Sequence, residues 1–68
     1  MDRWRAIRPT NVFFDNSSLE VVRIPAGGIV LTKDYSSSAR RTWLRIEVLP
    51  GWLWLDTEQF NLDFERLS

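Results

Sequence analysis

Apolar and polar residues alternate along much of this chain, and short breakers interrupt the alternation. Leu44, Ile46 and Val48 share one phase, with Trp43, Arg45 and Glu47 on the other. Beyond Leu49-Pro50-Gly51, Leu53 and Leu55 alternate with Trp52 and Trp54. Phe60, Leu62 and Phe64 alternate with Asn61, Asp63 and Glu65. Period two over such stretches marks a half-buried strand. Val21, Val22 and Ile24 precede the Pro25-Ala26-Gly27-Gly28 breaker, and Ile29, Val30 and Leu31 follow it. Val12 to Phe14 is a short apolar piece. Asn16-Ser17-Ser18 and Ser36-Ser37-Ser38 are further loop signals. No window keeps a helical period for three turns, although Asp56 offers a cap for a single turn at 56–59. The pattern predicts five or six short strands, at about 4–8, 20–24, 28–33, 42–48, 52–55 and 60–66. Sequential antiparallel strands in so short a chain curl into a small barrel, which removes open edges. The expectation is an all-β fold, one domain over 1–68.

Length and composition narrow the chemistry. A chain of 68 residues with 44% hydrophobic content can bury one core and no more. Cys and His are both absent, which excludes disulfides, thiolate or imidazole metal sites and catalysis through either residue. The five Asp and four Glu fall on the outward phase of strands or in turns, where nothing moves a carboxyl pKa toward acid–base work. No Gly-rich phosphate cradle is followed by a helix and Lys. The chain reads as a non-enzyme without a cofactor. No apolar run approaches the roughly 20 residues that span a bilayer. The N-terminus has no basic stretch leading into an apolar core, so the expected compartment is the cytoplasm.

At this point the residues resemble a family. The segment "IPAGGIVL" (24–31) is similar to the hydrophobic-Pro-x-Gly-x-x-Val segment of bacterial SH3-like domains. The segment "WLRIEVLPGWLWLDTEQF" (43–60) is similar to their Trp-opened strand, turn, second Trp strand and short helical turn. The resemblance covers roughly residues 16–66 and implies a small SH3-like barrel, with Trp43 and Trp54 on its fourth and fifth strands and Asp56–Phe60 as the turn before the last. It also implies binding through loops at the end of the barrel that holds residues 34–42. Asn11-Val12-Phe13-Phe14 stands where the family has Asn-Val-Arg-x-Gly-Pro, and peptidoglycan binding does not carry over.

Charge then points to a binding surface. Nine basic and nine acidic groups cancel, yet residues 1–45 carry eight of the basic ones and residues 46–68 five of the acidic ones. Arg outnumbers Lys eight to one. Interface cores favour Trp, Tyr and Arg over Lys. Arg40, Arg41 and Arg45 surround Trp43, while Arg3, Arg5 and Arg8 surround Trp4. The predicted partner-binding residues are Tyr35, Arg40, Arg41, Trp43, Arg45 and Trp52, with the Trp4–Arg8 edge next in line. The expected role is an adaptor, a peripheral regulatory subunit or an inhibitor of a larger protein assembly. Interleaved bases and aromatics also suit single-stranded nucleic acid, although a net charge of zero weakens that alternative. A second copy of the chain, paired through an edge strand, is the other partner considered.

Overall fold

The computed structural model describes residues 1–15 and 17–68, and the side chains of these apart from 17 and 18. Seven antiparallel strands and one short helix form the domain: β1 (Asp2–Ala6), β2 (Thr10–Phe14), β3 (Ser17–Ile24), β4 (Ile29–Thr32), β5 (Arg41–Arg45), β6 (Leu53–Asp56), α1 (Thr57–Asp63) and β7 (Phe64–Arg66). The small all-β, barrel-like class expected from the sequence is the class observed. The 10–14 segment is a full strand, which raises the count to seven. Of the Asn16-Ser17-Ser18 breaker, Asn16 lies outside the described residues, and Ser17 and Ser18 open β3.

The strands make a single sheet in the order β3-β2-β6-β5-β4-β1-β7. That order forces the sheet to curl. β3 and β4 are joined only by residues 25–28, yet three strands lie between them. In a flat sheet those four steps would separate them by about 19 Å. Five peptide links reach about 18 Å only when fully extended. This connection is instead a tight turn: Gly28 N–H donates to the Pro25 carbonyl at 3.0 Å, and Gly27 takes φ 88°. The positive φ suits a glycine at the third position of such a turn. The turn is also tied to β1, because Ala6 N–H donates to Gly28 O at 2.8 Å and Gly27 N–H to Ala6 O at 2.7 Å.

Curling brings the inward residues of all seven strands into one core. Val12, Val30, Leu44 and Phe60 are fully enclosed, with Trp4, Ala6, Ile24, Leu53, Leu55 and Phe64 around them. Three expectations are corrected here. The segment 60–66 is not a strand throughout, because residues 57–63 are helical and only Phe64–Arg66 extend. Thr57, Phe60 and Phe64 sit three and four residues apart, so a helix running into a strand buries all three. Leu62, which strand alternation would bury, is 57% exposed, while Asp63 is buried. The helix starts after Asp56 without a side-chain cap. Thr57 anchors it instead, through its N–H to the Arg40 carbonyl at 3.0 Å and its hydroxyl to that of Thr42 at 2.8 Å.

The second correction concerns 42–48. β5 ends at Arg45, and Leu49 N–H closes a turn onto Ile46 O at 3.1 Å ahead of Pro50. Ile46 still packs partly on the core, whereas Val48 is 84% exposed. β1 is likewise displaced from 4–8 to 2–6, its ladder ending where Ala6 pairs with Phe64.

Candidate binding face

The outer face of the sheet collects the side chains that point away from the core. On β5, burial alternates so that Thr42 and Leu44 point in while Arg41, Trp43 and Arg45 point out. β6 alternates likewise, with Leu53 and Leu55 in and Trp54 out. Strand register then aligns residues far apart in the chain. Val21 pairs with Phe13, Phe13 with Trp54, and Trp54 with Trp43. These four lie in one row across β3, β2, β6 and β5. Directly opposed residues on one face are close enough to pack, and the Phe13 and Trp54 rings stand 4.8 Å apart. The Trp54 indole N–H donates to the Phe14 carbonyl at 3.2 Å, which locks its ring against β2. The β2–β3 register shifts between Phe13 and Phe14, a bulge beside this row.

Basic groups frame the row. The Arg41 guanidinium lies 3.8 Å from the centre of the Trp54 ring, and that of Arg45 lies 5.6 Å from Trp52. Arg45 pairs in register with Leu31 and Leu31 with Arg3, so the basic rim continues to β1. The ion pairs among the described residues lie elsewhere. Arg5 pairs with Glu65, Arg8 with Asp63 at 3.4 Å, and Arg66 with Asp2 at 3.0 Å, all around β1, β7 and the end of α1. Among the described residues, Arg3, Arg41, Arg45 and Lys33 pair with no carboxylate. Beside them, Asp15, Lys33, Asp34, Trp43 and Trp52 line an open depression of about 360 Å³.

Of the six residues predicted as partner-binding, the structure brings Arg41, Trp43, Arg45 and Trp52 onto this one face. Arg40 sits apart, beside Asp56, Thr57 and Glu58 at the start of α1. Tyr35 is turned inward. Its ring packs 4.8 Å from Trp4 and 5.9 Å from Phe60, and its hydroxyl donates to Asn61 Oδ1. The 34–42 loop is thereby pinned to α1 on the core side. The Trp4–Arg8 cluster does not form a surface patch. Trp4 is 6% exposed, its indole N–H donates to Thr32 Oγ1 at 2.8 Å, and Arg5 and Arg8 are engaged with carboxylates. Phe13 and Trp54 belong to the face although neither is among the predicted partner-binding residues. Trp54 shares the phase of Trp52, a signal present in the sequence, whereas Phe13 joins only through strand pairing.

Asp63, expected on the outward phase, is instead 3% exposed. Its Oδ2 accepts from Gln59 Nε2 at 2.9 Å, and Arg8 covers Oδ1. This carboxylate links the end of β1 to α1. Among the described residues, no three Asp or Glu converge as metal ligands, and no helix is long and apolar enough to cross a membrane. The chain is a small all-β domain whose curled sheet presents an aromatic–arginine face. No family model matches it, and neither a curated protein nor a solved structure does.

Proposed function

We propose that the protein is a non-catalytic binding module of SH3-like type that docks a larger protein partner on the outer face of β2, β6 and β5. The supporting observation is the four-strand apolar row, flanked by basic groups that have no carboxylate partner among the described residues. Exposed apolar surface ringed by charge is the usual signature of an interaction site. Trp and Arg are the residues that most often anchor one. The Arg41 guanidinium rests 3.8 Å from the centre of the Trp54 ring, so its fork is already positioned for a partner carboxylate and little rotamer entropy is lost on binding. The element order supports the family resemblance: the β4-β5-β6 meander is followed by α1, and β7 returns to pair with β1. The role in the cytoplasm is that of an adaptor, regulatory subunit or inhibitor.

Single-stranded nucleic acid is the second reading, favoured by the same aromatics and arginines. Against it, Arg41 and Arg45 already cover ring faces on which bases would stack. Affinity capture from nuclease-treated extract separates the two. The expected result is a protein retained by the parent chain and lost with Trp43→Ala or Arg45→Ala, but retained by Arg66→Ala on the opposite edge. Retention that disappears after nuclease treatment, together with a steep fall of oligonucleotide affinity with salt, would transfer the function to nucleic acid.

A further inference from the structure

Three of the four Trp rings carry an arginine of the same chain. Arg66 lies 5.7 Å from Trp4, Arg45 lies 5.6 Å from Trp52, and Arg41 lies 3.8 Å from Trp54. Trp43 is the exception among the described residues, and at 38% exposure it is an outward Trp with no cation over its ring. It also borders the open depression, whose other walls are Trp52, Asp15, Lys33 and Asp34. The volume, about 360 Å³, is at the lower end of the roughly 300–1,000 Å³ typical of small-ligand sites. Two carboxylates against one ammonium leave the depression with a net charge of −1, on a face that is otherwise basic.

We infer that this depression binds a guanidinium group, stacked on Trp43 and paired with Asp15 or Asp34. The π-face of Trp attracts cations more strongly than that of Tyr or Phe. A planar guanidinium satisfies stacking and bidentate carboxylate pairing together, which an ammonium cannot. The fold uses the same contact three times within itself, so the incoming group completes a series already present. Asp34 takes φ 58°, a left-handed conformation that Asp and Asn tolerate better than most residues. Lys33 is the like charge in the site and opposes binding. The inference does not depend on the partner being a protein, because the ligand is defined by its charged group.

The test is titration of the full chain with Nα-acetyl-arginine amide, followed by the indole N–H resonances of the four tryptophans. Trp43 and Trp52 are expected to shift and saturate together, while the indole of Trp4, bonded to Thr32, stays in place. The neutral isostere Nα-acetyl-citrulline amide should produce no saturating shift at tenfold higher concentration. Combined Asp15→Asn and Asp34→Asn should weaken binding about tenfold, the scale of a lost charged hydrogen bond. Lys33→Gln should tighten it. Free arginine, titrated in parallel, distinguishes the sources: tighter binding of the capped amide indicates an arginine within a polypeptide, and tighter binding of the free amino acid a small metabolite. Equal affinity for the citrulline compound, an unchanged affinity in the double Asn variant, or equal shifts at Trp4 and Trp43 would each overturn the assignment.

Discussion

Phe60 and Leu62 differ most between a strand and a helix over residues 57–63, and substituting them measures the difference. On strand alternation both face the core. In the structure Phe60 is fully enclosed, with its ring 4.8 Å from Trp4 and 4.6 Å from Phe64, whereas Leu62 is 57% exposed. Phe60→Ala removes a buried aromatic ring and leaves a cavity between rings that cannot close over it, a loss of about 3–5 kcal/mol. A domain of 68 residues has only about 3–10 kcal/mol in total, at about 0.05–0.15 kcal/mol per residue. The variant is therefore expected to be largely unfolded or to melt at least about 12 °C lower, since each kcal/mol shifts a domain of this size by about 4–8 °C. Phe60→Leu keeps most of the volume and should remain folded at a lower midpoint. Leu62→Ala should stay within about 0.5 kcal/mol of the parent, as exposed substitutions do. Urea titration followed by circular dichroism measures all three, with an unchanged slope as the check that the same folded state is compared. A Leu62→Ala loss equal to that of Phe60→Ala would refute the helix and restore a strand from residue 60.

Three further outcomes follow from the packing. Thr42→Val leaves the buried Thr57 hydroxyl without its 2.8 Å partner and should cost about 1–3 kcal/mol, whereas the Thr42→Val/Thr57→Val pair should recover much of that, measured as a double-mutant cycle. Gly28→Ala would place a methyl 2.6 Å from Ile24 Cγ2 and 3.0 Å from the Pro25 carbonyl; a loss of about 1–3 kcal/mol by thermal melting is expected, the scale of overpacking. Arg41→Ala gives up the stacking on Trp54 and should lower stability by about 0.5–1 kcal/mol, so its effect on partner binding must be compared with that baseline.

What the sequence determined by itself was local. Period-two alternation in 43–46 and 52–55 placed Leu44, Leu53 and Leu55 inside and Trp43 outside, because adjacent residues on a strand face opposite ways whatever the strand pairs with. Pro25–Gly28 and Pro50-Gly51 marked turns for an equally local reason, the backbone angles these residues permit. Arg41, Trp43, Arg45 and Trp52 were legible as a group because two neighbouring strands and their phase were enough to align them. Tertiary structure decided the rest. Phe60 and Phe64 sit at a spacing that satisfies a strand face and a helical turn alike, and only packing against Trp4 and Tyr35 selects the helix. Trp4 and Tyr35 look like surface aromatics among polar neighbours, yet the curl of the sheet encloses the first and draws in the second. The Val21–Phe13–Trp54–Trp43 row joins residues up to 41 positions apart in β2 and β6. Such a row exists only once β3, β2, β6 and β5 are paired, because a slip of one residue in any of these registers would turn that strand's side chain to the other face.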